Sequence, residues 1–376
     1  MASNILVFIP NDSRAGGSDE ILFQIANHYA IHAANVYIMF LTKIRFGDWR
    51  VLEGLSNVHF YSNNSTRELG GVFPSLFNVC RLRRIQFDYV YTSNTHTTSF
   101  LGILRKLGIL KTKYFIGRES SSVFLRFTGC QLRLYKLYHH LGYQALDYLI
   151  CQSNEMKKQF MEGTPSIAKR INLIVIPNPV NLLEMNEEAS KTLDFPILFQ
   201  ERVIVTAGRF IKEKGFDLLI EAFDMLQKST EFQDVHLLVL GDGAERQNLE
   251  KSIKRKGLQD KVLLPGMSKN VYPYFKRATL CVISSRIEGF PNVLLQMMSQ
   301  CNNVVSTKCA GGIERIKGLK TCEPYNAKAL YEAIKKALET NNTANTAKNR
   351  HLFDQELEKR SIDSFVAAIE SAVKKG

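Results

Sequence analysis

Short apolar runs rich in β-branched and aromatic residues recur along this chain, and most are followed by a stretch whose apolar positions repeat every three or four residues. The first series is Asn4 to Ile9, Val36 to Leu41, Val58 to Tyr61, Tyr89 to Thr92, Tyr114 to Ile116, Tyr148 to Cys151 and Leu173 to Ile176. The second is Val203 to Thr206, Val235 to Leu240, Lys261 to Leu264, Leu280 to Ser284 and Asn303 to Ser306. Strands alternating with helices in this way predict an α/β protein with parallel sheets covered by helices on both faces, and two such series predict two Rossmann-like domains. Pro177 and Pro179 punctuate the junction, which puts the first domain at 1–180 and the second at 181–351. The polar stretch Glu184 to Asp194 reads as a linker or exposed loop, and Leu352 to Lys375 as one long helix. No internal repeat exceeds the strand-helix alternation; Thr340 to Asn349 comes nearest to low complexity.

Two turns in the second series carry candidate chemistry. Val205 to Gly215 (Val-Thr-Ala-Gly-Arg-Phe-Ile-Lys-Glu-Lys-Gly) runs from a strand into a helix marked by Phe216, Leu219, Ile220, Phe223 and Leu226. It sets Arg209 and Lys214 beside Gly208 and Gly215, at the sheet edge where open parallel sheets bind ligands. A planar guanidinium and a mobile ammonium together suit diphosphate oxygens, and a solvated basic turn is the plain alternative. The second turn follows Thr279 to Ser285 and reads Arg286, Ile287, Glu288, Gly289, Phe290, Pro291, Asn292 before an apolar helix through Val293, Leu294, Met297 and Met298. Pro291 suits the first turn of that helix. Glu288 thus stands beside a helix start on the same edge as the two cations, where a carboxylate fits hydroxyl groups better than an anion. Gly241-Asp242-Gly243, after Val235 to Leu240, makes a third loop there.

With these residues the chain resembles the retaining glycosyltransferases of family four, which have the GT-B fold and use nucleotide-sugar donors. The resemblance rests on Gly208, Arg209, Lys214 and Gly215; on Gly241-Asp242-Gly243; on Pro265-Gly266; and on Glu288-Gly289-Phe290-Pro291 with a helix behind it. Looser matches in the first half are Gly16-Gly17, Cys151-Gln152-Ser153-Asn154-Glu155 and Ile176-Pro177-Asn178-Pro179-Val180. It implies two Rossmann-like domains with parallel sheets facing a cleft, the last helix crossing back onto the first domain, and transfer without a metal or other cofactor. Arg209 and Lys214 would neutralise the departing diphosphate, Glu288 would hold donor-sugar hydroxyls, and Gly16, Gly17, Gly208, Gly241, Asp242, Gly243, Gly289, Phe290, Pro291 and Asn292 would shape the donor site. The family pattern places a second glutamate where this chain has Gln296, whose carboxamide keeps one acceptor for the ribose without the charge. His96, Arg118 and Glu119 are the acceptor-side candidates; family members often carry a histidine where Arg118 and Glu119 stand. The activity implied is transfer of a hexose or N-acetylhexosamine, from a UDP-sugar by preference, to a growing and lipid-linked surface glycan of bacterial polysaccharide or lipopolysaccharide type. An epimerase of the same fold, or a nucleotide-sugar-binding relative without turnover, are the alternatives.

The chain has 376 residues, ample for two domains, and its 45% apolar and 23% charged composition is that of an ordinary globular protein. Ile5 to Pro10 is too short and lacks the basic lead-in of a signal peptide, and no run approaches the ~18 apolar residues of a membrane span. Seven cysteines without Cys-x-x-Cys spacing read as reduced core thiols, which points to a cytosolic protein with neither disulfides nor zinc.

The formal charge of +13 is uneven. Between Arg81 and His140 eleven Lys and Arg residues face only Asp88 and Glu119, interleaved with Phe124, Leu125, Phe127, Leu132, Leu134, Tyr135, Leu137 and Tyr138. A basic helix with apolar neighbours suits an anionic membrane surface, here the inner face of the plasma membrane; a solvated face over a core is the alternative. Nucleic acid is not expected, because no recognised module accompanies the charge. His139 and His140, within this helix, read as packing or surface residues.

Overall fold

The computed structural model describes residues 2–14, 16–120, 123–193 and 199–375. The chain forms two compact units, Met1–Pro179 with Ile362–Gly376, and Val180–Ser361.

The first unit holds a seven-stranded parallel sheet of β1 (Asn4–Ile9), β2 (Asn35–Phe40), β3 (Val58–Tyr61), β4 (Phe87–Thr92), β5 (Thr112–Arg118), β6 (Tyr148–Cys151) and β7 (Asn172–Val175), in the order β3-β2-β1-β4-β5-β6-β7. Alternation along β1 shows why both faces are covered: Ile5, Val7 and Ile9 join the core under helix Gly17–Ile31, and Leu6 and Phe8 join the opposite core. The second unit holds β8 (Arg202–Ala207), β9 (Val235–Leu240), β10 (Val262–Gly266), β11 (Leu280–Ile283), β12 (Val304–Thr307) and β13 (Lys320–Cys322), in the order β10-β9-β8-β11-β12-β13. All pairings are parallel, as strands joined by covering helices require. All seven cysteines are free, five of them buried, while Cys80 is half-buried and Cys130 exposed.

Four expectations need correction. Leu182–Glu188 is a helix, where the polar stretch from Glu184 reads as loop: Asn181 caps it by accepting from Glu184 N at 3.2 Å, and Met185 is buried beneath it. Asp194, the end of that stretch, lies outside the described residues. The tail is two helices, Thr343–Glu358 and Ile362–Lys375. Phe353 and Leu357 are buried in the second unit's core, whereas Phe365, Val366, Ile369 and Val373 are buried in the first's. The chain leaves the helical conformation between the two, and there Arg360 O accepts from Val180 N at 2.7 Å. β13 has no counterpart in the predicted strands: Lys320–Cys322 is three residues long, two of them polar, and only its pairing with β12 makes it a strand. Pro291 stands one residue outside its helix, Asn292–Gln300, as an extended N-cap.

Candidate functional site

Strand order in the second unit reverses between β8 and β11, and open parallel sheets bind ligands beyond the carboxyl ends of strands at such a switch point. The loop after β8 carries Gly208 to Gly215, and the loop after β11 carries Ser284 to Pro291. There Lys214 Nζ lies 2.5 Å from Glu288 Oε1, and Ser285 Oγ donates to the same oxygen at 2.8 Å. Both charged side chains are about one-sixth exposed, at 17% and 16%. Ion pairs so shielded hold their geometry better than surface pairs. Lys214 offers three donors and Glu288 several lone pairs, so each has capacity for a ligand after meeting the other.

Neighbouring groups fix the two loops against each other. Arg286 donates to both carboxylate oxygens of Asp217, at 2.8 and 2.6 Å, and to Lys212 O at 2.6 Å, while its own N–H donates to Glu213 O at 2.7 Å. The guanidinium holds Asp217 below the ordinary carboxylate range, despite burial acting the other way. Ser284 Oγ donates to Lys214 O at 2.9 Å. Gly215 has φ +64°, and a Cβ on it would lie 2.2 Å from Ser284 O. Only glycine lets the two loops approach so closely. A Cβ on Gly241 would lie 1.9 Å from Gly208 O, and Phe210 N donates to Asp242 O at 2.8 Å, so the Gly241-Asp242-Gly243 loop braces the Gly208 loop from below. Asp217 was not among the residues singled out in the sequence, and Arg286 was named only as part of its turn; a strand-end arginine with an acid at the start of the helix that follows β8 was the available signal.

The other predicted donor-side residues fall around this pair. Arg209 is exposed. Glu288 N donates to Cys309 O at 2.8 Å, which ties its loop to the segment after β12. Phe290 lies under the Arg360 guanidinium, 5.1 Å from its ring centre, and packs against the core, while Asn292 begins the helix that Pro291 caps. Gln296, one turn further along, donates through Nε2 to Tyr272 Oη at 3.1 Å.

In the first unit the switch point lies between β1 and β4. Gly16 is the N-cap of helix Gly17–Ile31, and Arg14 pairs with Glu20 beside it at 2.8 Å. Asp12, buried after β1, accepts from the backbone N–H groups of Arg45, Phe46 and Gly47 at 2.9, 2.8 and 2.7 Å and so shapes the loop after β2. Arg118 ends β5 and is only 3% exposed. It donates to Asn178 Oδ1 at 2.6 Å and to Ser93 Oγ at 3.3 Å, and burial pulls its pKa down to about 10 against the opposing fields of Glu119 and Asp19. Glu119, also buried, has its carbonyl bound by Gln152 Nε2 at 3.0 Å. These two predicted acceptor-side residues therefore form a polar core beneath the sheet edge. His96 Nε2 lies 3.0 Å from Glu68 Oε2.

Among the described residues no group of three or more His, Cys, Asp or Glu is placed to hold a metal ion, and no helix is long and apolar enough to cross a membrane. Residues 192–351 match the model of the family described as glycosyl transferases group 1. An uncharacterized glycosyltransferase of Methanocaldococcus jannaschii is 26% identical over 208 residues, covering 54% of this chain and 50% of that protein, so the chain matches half the length of this relative. The Campylobacter jejuni N-acetylgalactosamine-N,N'-diacetylbacillosaminyl-diphospho-undecaprenol 4-alpha-N-acetylgalactosaminyltransferase is 24% identical over 277 residues, 72% of each chain. The crystal structure of Anabaena HepE in complex with UDP and glucose superimposes with a TM-score of 0.78 at 17% identity, covering all of both chains. The fold is GT-B.

Proposed function

From a chain whose residues 192–351 form a glycosyl transferases group 1 domain, we propose a glycosyltransferase that moves a hexose or N-acetylhexosamine from a UDP-sugar to a growing, lipid-linked surface glycan with retention of anomeric configuration. The observation that carries this reading is the Lys214–Glu288 pair, held with Ser285 at the switch point of the second sheet. As the bond between the anomeric carbon and the diphosphate oxygen breaks, negative charge grows on the diphosphate. Lys214, joined by Arg209, neutralises it, which is where preorganised electrostatics act most strongly. An acceptor oxygen then bonds to the anomeric carbon from the face the diphosphate leaves, and its proton passes to a departing phosphate oxygen. Glu288 keeps the sugar in register by accepting from its hydroxyls while its other contacts stay with Lys214 and Ser285. Gln296 meets the ribose, its amide oriented by Tyr272.

Two further supports concern the acceptor. The Campylobacter relative's name specifies an undecaprenol-linked glycan, and in this chain the helix Gly129–Gly142 carries Leu134, Leu137 and Leu141 at 42–50% exposure beside exposed Arg133 and Lys136. Half-exposed leucines among cations fit the boundary of an anionic lipid layer, with peripheral association at the inner face of the plasma membrane.

The test is nucleotide release from a panel of UDP-sugars and other nucleotide sugars, with and without membrane-extracted glycan lipids. Lys214→Ala is expected to lower release by about a hundredfold, the scale of losing one preorganised donor. Release from no donor by the parent protein, or equal release by the variant, overturns the reading.

A further inference from the structure

Three successive carbonyls before Gly215 are bound from the loop after β11, two of them by one residue. Lys212 O accepts from Arg286 Nη1 at 2.6 Å, Glu213 O from Arg286 N at 2.7 Å, and Lys214 O from Ser284 Oγ at 2.9 Å. Lys212–Lys214 is a single turn of 3₁₀ helix. So short a turn has poor hydrogen-bond geometry of its own and depends on outside contacts to keep one shape.

Lys214 is attached to the same loop at both ends. Its main chain is bound as above, and its ammonium lies 2.5 Å from Glu288 Oε1. Between the two the stem runs along Gly208, where a Cβ would lie 3.5 Å from Cε and 3.6 Å from Cδ. A free lysine stem samples many rotamers; one held at its main chain and at its ammonium does not.

Arg286 is suited to hold the turn. Its guanidinium makes two bonds to Asp217, at 2.8 and 2.6 Å, while Nη1 also reaches Lys212 O. Lys212 and Asp217 flank Gly215, whose φ of +64° makes the bend between the turn and helix Phe216–Gln227. One planar fork therefore spans that bend, which a point-charge lysine does not do. With the fork engaged by Asp217, Arg286 acts through the turn and not as a further cation on the diphosphate.

We propose that Arg286 is a positioning residue for donor cleavage: by fastening the turn Lys212–Lys214 to the loop after β11, it fixes the Lys214 ammonium beside Glu288, where charge grows on the departing diphosphate. The assignment rests on the glycosyltransferase reading above.

A double-mutant cycle of Arg286→Ala with Lys214→Ala tests it, read both in nucleotide release and in uridine diphosphate affinity by calorimetry. Alone, Arg286→Ala should lower the rate of release by about tenfold or more, as misplacing a reacting group does. Affinity should fall by only about threefold, because the charge that Lys214 meets is largest in the transition state. In Lys214→Ala the same change should cost less than about twofold in either readout, since the turn no longer carries the group it places. Asp217→Asn, at an exposed position, frees the fork without touching the turn and should show the same pattern at smaller size, which keeps the test open if Arg286→Ala does not fold. Losses of equal size in the parent and Lys214→Ala backgrounds overturn the positioning role. Failure of the glycosyltransferase reading registers separately, as a parent that binds uridine diphosphate yet releases nucleotide from no donor; the coupling is then read in affinity. A parent that does neither overturns both.

Discussion

His139 lies in the helix Gly129–Gly142 with none of its surface exposed, and the rings of Tyr143, Phe160 and Phe124 surround it at centroid distances of 4.3, 5.4 and 5.7 Å. Neither ring nitrogen has a hydrogen-bond partner, and burial pulls its pKa down to about 4 from the ordinary 6.5. In the unfolded chain the imidazole titrates near its ordinary value. Between pH 6.5 and 4 the unfolded state therefore binds a proton that the folded state refuses, and stability falls as pH falls through that window. With 1.36 kcal/mol per pH unit, the loss from pH 7.5 to pH 5 is about 2 kcal/mol. His139→Leu, close in volume and a good helix former, should act in two ways. At pH 7.5 it removes a buried unpaired N–H and should stabilise by ~1–2 kcal/mol. Between pH 7.5 and pH 5 it should lose about 2 kcal/mol less than the parent does. Hydrogen exchange along Gly129–Gly142, measured at both pH values in a urea series, reads the stability of this segment directly. Parallel pH dependence in the two proteins would refute the reasoning, because it would mean that His139 takes up a proton in the folded chain as readily as in the unfolded one.

The remaining predictions concern loop geometry and the membrane. Gly215→Ala must place a Cβ 2.2 Å from Ser284 O at φ +64°, so it should destabilise the second unit by more than the ~1–2 kcal/mol of a left-handed alanine and abolish nucleotide release; a melting temperature and turnover equal to the parent's would show that the loops do not depend on this contact. Arg126→Glu, at the end of helix Val123–Arg126, with Arg133→Glu and Lys136→Glu in helix Gly129–Gly142, should release the protein from anionic vesicles while the parent binds in a manner that weakens with salt; equal sedimentation of the two proteins would leave this basic surface an ordinary solvated face.

Periodicity alone was enough to place twelve of the thirteen strands among the described residues, because a strand buried on both faces must be apolar at nearly every position and must be followed by a helix that covers it. The strand-end loops were legible for a related reason: glycines and charges directly after a buried run have few other places to be. Local sequence also predicted Lys214 and Glu288 on one sheet edge, since both loops follow strands of the same sheet. It did not contain their 2.5 Å contact, which joins residues 74 apart and depends on β8 and β11 being neighbours in the sheet. The same holds for Arg286 with Asp217, for Gly241 against Gly208 O, and for Glu68 with His96: each depends on how separate segments pack, and no short window of residues encodes that. The tail shows the limit most directly. Its helical period runs from Leu352 to Lys375 and predicts one rod, but its apolar residues are divided between two cores, and the helix is interrupted at 359–361 where propensity sees no reason to stop.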